Sequence, residues 1–119
     1  MKTVHLVRHG ETEQNTLRVW QGHTDTPLNS NGIQQAKLLS NRIKDRNLKI
    51  FSSDLNRATE TASFLSNNII LRENLREINV GDFTGMSVKD TYTSNNDIFQ
   101  SLKDDDFQFP NGESVKSFK

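Results

Sequence analysis

The strongest constraint on the fold is a rhythm in which short, β-branched apolar runs alternate with stretches whose apolar residues recur every three or four positions. Val4-His5-Leu6-Val7 is the first run and stops at Arg8-His9-Gly10, which predicts a short buried strand. Residues 11–29 are polar and contain Gly22 and Pro27, so they predict a loop. Asn29 or Ser30 can cap a helix in which Ile33, Ala36, Leu39 and Ile43 form one apolar face. That helix is expected to end between Lys44 and Asn47, with cations where its dipole favours them. Leu48 to Phe51 predicts a second strand. Ser52-Ser53-Asp54 then predicts the cap of a second helix, with Leu55, Ala58, Ala62 and Leu65 on its buried face. Ile69-Ile70-Leu71 is a third apolar run. Strand, helix, strand, helix, strand is the pattern of parallel βαβ units, whose crossovers are right-handed.

Beyond Leu71 the rhythm is lost. Gly81 and Gly85 bracket turns, residues 93–109 are mostly polar, and Asp104 to Asp106 reads as a solvated acidic surface. Val115 and Phe118 stand three apart, like the first turn of an amphipathic helix. A length of 119 residues suits one modest domain. The 15 Lys and Arg balance the 15 Asp and Glu, which argues against nucleic acid or an anionic membrane as partner. The chain has no cysteine, excluding disulfides, thiolate catalysis and cysteine-based zinc sites. Its apolar share of 32% predicts a thin core. No apolar run is long enough for a signal-peptide core or a membrane span, so a cytoplasmic location is expected.

In an open α/β sheet the ligand crevice lies beyond the carboxyl ends of the strands. Parallel strands here would bring Arg8 and His9, the Ser52–Asp54 turn with Arg57, and Glu77 to one edge. Arg57 falls in the first turn of a helix, where the dipole disfavours a cation. Its place makes sense beside a bound anion, and equally if it pairs with Asp54 or turns to solvent. His9 taken alone reads either as a structural residue or as a nucleophile. A neutral imidazole between two guanidinium groups can attack phosphorus, and the arginines would lower its pKa.

The motifs themselves bear a family resemblance. Arg8-His9-Gly10-Glu11-Thr12 with Asn15 resembles the RHGxTxxN phosphate-binding signature of the histidine phosphatases, the phosphoglycerate-mutase-like superfamily. Gln21-Gly22, Asp25 to Asn29 and Gly32 are similar to the stretch leading into that family's first helix. Ser52 to Ala62 resembles its SSDLxRAxxTA motif. Leu75-Arg76-Glu77-Ile78 with Gly81, Asp82, Phe83 and Gly85 resembles its LxEixxGxxeG segment, and Pro110 to Ser114 its PxGES motif. All five occur in the family's order.

The resemblance implies a three-layer α/β/α sandwich with a mainly parallel sheet. It implies a phosphatase that hydrolyses small phosphomonoesters through a phosphohistidine, without metal or other cofactor. His9 would be the nucleophile and Arg8 and Arg57 the phosphoryl clamp. Asn15 and the Gln21-Gly22 backbone would help bind substrate, and Glu77 would be the general acid. His5 is expected to be structural. His23 reads as a solvated loop residue or as a substrate contact. The family also uses a second histidine on a later strand, which no residue here matches: the only histidines are His5, His9 and His23. Residues 1–119 are therefore expected to form an incomplete domain, truncated at its C-terminal side, with exposed faces and low stability. A phosphoglycerate mutase and a non-catalytic phosphate-binding fragment are the alternatives. The short, Asn/Asp-rich segment after Gly85 favours the phosphatase over the mutase.

Overall fold

The computed structural model describes residues 2–43, 47–94 and 98–119. The chain is an α/β protein whose sheet, among the described residues, holds two parallel strands, β1 (Ile50–Ser52) and β2 (Ile69–Leu71). They pair in the register Ile50 with Ile69, Phe51 with Ile70 and Ser52 with Leu71. Helix α3 (Asn56–Ser63) connects them and completes one βαβ unit. Helix α2 (Ser30–Arg42) packs on α3, where the Ser40 hydroxyl donates to the Phe64 carbonyl at 2.7 Å.

Asn29 caps α2 as expected, its side chain accepting from the Gly32 amide at 2.9 Å. The helix ends at Arg42, and of the expected end at Lys44 to Asn47, residues 44–46 lie outside the described residues. The α2 N-terminus meets the loop after His9 backbone to backbone. A Cβ on Gly10 would stand 2.5 Å from the Gly32 carbonyl oxygen, and one on Gly32 would collide with the Glu11 backbone. Only two glycines permit that approach.

The expected strand at residues 4–7 does not join the sheet, which corrects the reading of its apolar run. Val4 is 79% and Leu6 94% exposed. The physical reason is a missing neighbour. An open cleft of about 950 Å³, lined by Val4, Leu6, Ile50, Ala58, Ala62 and Leu65, separates this segment from β1. A strand is stable only as part of a ladder, and no described backbone lies close enough to supply one.

The polar stretch 11–29 contains a helix that periodicity did not reveal, α1 (Glu13–Leu17). Thr12 and Asn15 form its capping box, each side chain bonded to the other's backbone N–H. The irregular region after β2 also has order. One-turn 3-10 helices lie at Glu73–Leu75 and Gly81–Phe83, followed by α4 (Val88–Ser94), α5 (Ile98–Ser101) and α6 (Val115–Phe118). Of the stretch expected to be polar surface, residues 95–97 lie outside the described residues. Val80, Phe83, Ile98 and Phe109 form a buried cluster there, with Trp20, Ile78, Leu102 and Phe107 packed against it. Phe109 meets Phe83 and Phe107 edge-on, at centroid distances of 5.3 and 5.2 Å. The Trp20 indole donates to the Thr91 hydroxyl at 2.8 Å, tying the cluster to the front loop. Among the described residues no helix is long and apolar enough to cross a membrane.

The contact between loop and helix carries a prediction. Gly32→Ala should cost about 1–3 kcal/mol through overpacking against the Glu11 backbone, read as a lower Tm in thermal denaturation.

Candidate active site

Arg57 enters the site from the first turn of α3, buried with only 3% of its surface exposed. It does not pair with Asp54. Its Nη1 donates to the Thr24 carbonyl and its Nη2 to the Gly22 carbonyl, both at 2.7 Å. Nη2 also lies 3.3 Å from Oε2 of Glu77. Two carbonyls and one carboxylate leave the rest of the planar fork available to an incoming anion. Gly22 has a φ of +52°, which lets the loop turn its carbonyl onto the guanidinium.

The α3 N-terminus is capped from a distance. Oδ1 of Asp25 accepts from the Asn56 amide at 2.7 Å, and Oδ2 from the Asn56 side chain at 3.2 Å. A carboxylate at a helix N-terminus offsets the dipole that disfavours Arg57 there. The expected Ser52-Ser53-Asp54 cap is thus only partly realised: Ser53 accepts from the Leu55 amide at 3.2 Å, while Asp54 turns elsewhere. Asp54 receives a two-pronged bond from Arg76, at 2.7 Å from Nε and 2.6 Å from Nη2. Those bonds hold the Asp54 carboxyl below its usual range.

His9 is set by its neighbours on both sides. Its Nδ1 lies 2.6 Å from the Gly10 carbonyl. A carbonyl can only accept, so Nδ1 carries the proton and Nε2 keeps its lone pair free. The Gly10 amide donates to Oγ1 of Thr61 at 3.0 Å, and that hydroxyl donates to the Arg57 carbonyl at 2.7 Å. The loop bearing His9 is therefore latched to the helix bearing Arg57. Burial is the largest cause holding the His9 imidazole below its ordinary 6.5. Arg57 and then Arg8 push the same way, while the bond to Gly10 and the Glu77 charge oppose them. The arginines contribute as the sequence implied, but desolvation leads.

His9, Arg8, Arg57 and Glu77 all line the cleft between residues 3–9 and β1. Asn15 and Gln21 do not. Asn15 belongs to the α1 capping box, and Gln21, 5% exposed, accepts from the Thr12 hydroxyl at 2.8 Å. Gly22 enters through its carbonyl on Arg57. The Glu77 segment is pinned on both flanks. Arg76 is tied to Asp54, and Oε2 of Glu113 accepts from the Asn79 amide at 2.7 Å. His23 also reaches this segment, its Nε2 lying 2.8 Å from the Glu77 carbonyl. Sequence reasoning did not foresee the roles of Asp25, Thr61 and Glu113. All three fall inside recognised motifs, and that is the only sequence signal they carried. Among the described residues no group of three or more His, Cys, Asp or Glu is gathered as metal ligands would be.

The His9 loop is thus latched to the helix that carries the buried Arg57, and the chain belongs to the histidine phosphatase superfamily (branch 1), which it matches over residues 4–119. Among its relatives, the probable phosphoglycerate mutase GpmB of Proteus mirabilis is 36% identical, covering 97% of this chain and 57% of that protein. The protein of the same name from Photorhabdus laumondii is 42% identical over 68% of this chain and 40% of its own length. The crystal structure of TTHB049 from Thermus thermophilus superposes with a TM-score of 0.82 at 35% identity, over 94% of this chain and 64% of that one. A mycobacterial glucosyl-3-phosphoglycerate phosphatase in complex with VO3 superposes at 0.79 and 30% identity, over 92% and 58%. The chain thus spans roughly half the length of the curated relatives it matches.

Two outcomes follow from this geometry. In NMR titration the His9 ring should change charge with a midpoint below 6.5. Its folded pKa is depressed, so the fold binds fewer protons than the unfolded chain and stability should fall as pH drops through 6.5 towards that midpoint. Arg57→Ala leaves the Gly22 and Thr24 carbonyls without their donor and should cost about 1–3 kcal/mol for each in denaturant unfolding.

Proposed function

We propose that this chain carries the phosphoryl-transfer half of a phosphatase that hydrolyses small phosphomonoesters through a phosphohistidine. The observation that carries the reading is the His9 tautomer. Nδ1–H is committed to the Gly10 carbonyl, which leaves Nε2 as an unprotonated nucleophile beside Arg8 and Arg57.

In the first step Nε2 of His9 attacks phosphorus and the bond from phosphorus to the ester oxygen breaks. Arg8 and Arg57 neutralise the phosphoryl oxygens through charge-assisted bonds. Glu77, entering the step in its protonated form, donates that proton to the leaving oxygen, releasing an alcohol and becoming the carboxylate that pairs with Arg57. In the second step water attacks phosphorus, Glu77 takes one of its protons, and the P–N bond breaks. Inorganic phosphate leaves and His9 returns to its starting tautomer.

Transfer between positions of a phosphoglycerate is the second reading, favoured by the name that the Proteus and Photorhabdus relatives share. Hydrolysis is preferred because the described residues of 86–94 and 98–109 hold two short helices beside the aromatic cluster, with no long insertion over the cleft among them. The relation to a glucosyl-3-phosphoglycerate phosphatase also supports hydrolysis.

The test is phosphate release from a generic phosphomonoester by the folded chain beside His9→Ala. Release that the variant loses by about a hundredfold or more is expected. Equal background release from both would sink the enzymatic reading. Interconversion of 3- and 2-phosphoglycerate outpacing phosphate release would instead select the mutase.

A further inference from the structure

His23 takes no part in the chemistry proposed above, yet it bonds to the segment that carries the acid. Its Nε2 lies 2.8 Å from the main-chain carbonyl of Glu77, across 54 positions of sequence. A carbonyl accepts only, so the ring donates through Nε2–H. The residues on either side of His23 are held as well: Arg57 receives the Gly22 carbonyl on Nη2 and the Thr24 carbonyl on Nη1. The loop cannot shift at His23 without disturbing that guanidinium. Arg57 in turn reaches the Glu77 carboxylate at 3.3 Å. The contacts close a ring running from Arg57 to the 22–24 loop, from His23 to the Glu77 backbone, and from the Glu77 carboxylate back to Arg57.

The ring has a consequence for geometry. The Glu77 side chain is 43% exposed, so its carboxylate is not fixed by close packing. Apart from its 3.3 Å contact with Arg57, its position relative to the phosphoryl clamp depends on its own main chain. Arg76 and Asn79 anchor that main chain on its flanks, through Asp54 and Glu113. His23 alone, among the hydrogen bonds described, anchors it at residue 77 itself.

We infer that His23 is a positioning residue, which sets the carboxyl of Glu77 against the leaving oxygen by holding the Glu77 carbonyl. The inference rests on the proposed role of Glu77 as general acid. It makes a demand that a merely stabilising contact would not. Aryl phosphates with acidic leaving groups depart without a proton, whereas alkyl phosphates need one. Loss of His23 should therefore slow alkyl esters selectively.

The experiment measures kcat/KM for an alkyl phosphate and for 4-nitrophenyl phosphate in the full chain and in His23→Ala, His23→Gln and Glu77→Gln. His23→Ala is expected to lower the alkyl-to-aryl ratio of kcat/KM by about tenfold or more, as Glu77→Gln does, while His23→Gln, whose amide can still donate, recovers most of it. Imidazole ¹⁵N shifts of the parent chain are expected to show His23 protonated at Nε2. Equal losses on both esters, an unchanged ratio, or a proton on Nδ1 alone would overturn the inference while leaving the phosphatase reading in place. A parent chain without His9-dependent turnover would overturn the phosphatase reading first and this one with it.

Discussion

A guanidinium with only 3% of its surface exposed must be satisfied by fixed acceptors, because an unpaired cation there would cost several kcal/mol. Arg57 meets that demand with the carbonyls of Gly22 and Thr24 and the carboxylate of Glu77. Its partners come from the front loop and from the segment after β2, and its own helix lies between them in sequence. One side chain therefore draws three separate stretches to a single point. The Thr61 hydroxyl, one turn further along α3, bridges the Arg57 carbonyl to the Gly10 amide and adds the loop that bears His9. The site is organised around a helix start rather than around the sheet.

Support for this arrangement comes from a region that looks irregular in sequence. The Pro110–Ser114 turn exchanges backbone bonds with Asn79 and Asp82, and the Glu113 side chain adds a further bond to the Asn79 amide. Phe109 is fully buried beside that turn, within the aromatic cluster. The cluster keeps the turn in place, the turn keeps residues 79–82 in place, and Glu77 is held just ahead of them. A motif that resembles a family signature thus works here as scaffold for the segment that carries Glu77.

Much of the fold was legible because it depends on local chemistry. Asn29 before an apolar 3-and-4 pattern marks the start of α2, and Ile69-Ile70-Leu71 pairs where its composition says it should. The run at residues 4–7 misled for a physical reason: composition reports an affinity for a ladder, not the presence of a neighbouring strand. Helix α1 went unread because its signal is a capping box between polar residues rather than a hydrophobic period. The aromatic cluster also went unread, since Trp20, Phe83 and Phe109 are far apart in the chain and share no period.

By itself the sequence determined which chemistry is available here: His9 flanked by Arg8 and Gly10, an arginine one residue inside a helix, a carboxylate after the third apolar run, and no thiol at all. These are properties of residue type and spacing, which folding does not alter. The tertiary structure alone decided which nitrogen of His9 is free, that Asp25 rather than Asp54 caps α3, that Arg76 takes Asp54, and that His23 reaches Glu77. Each of those outcomes is a competition among donors and acceptors, most of them distant in sequence. Only the folded geometry, by bringing some within about 3 Å and keeping others apart, settles which pair forms.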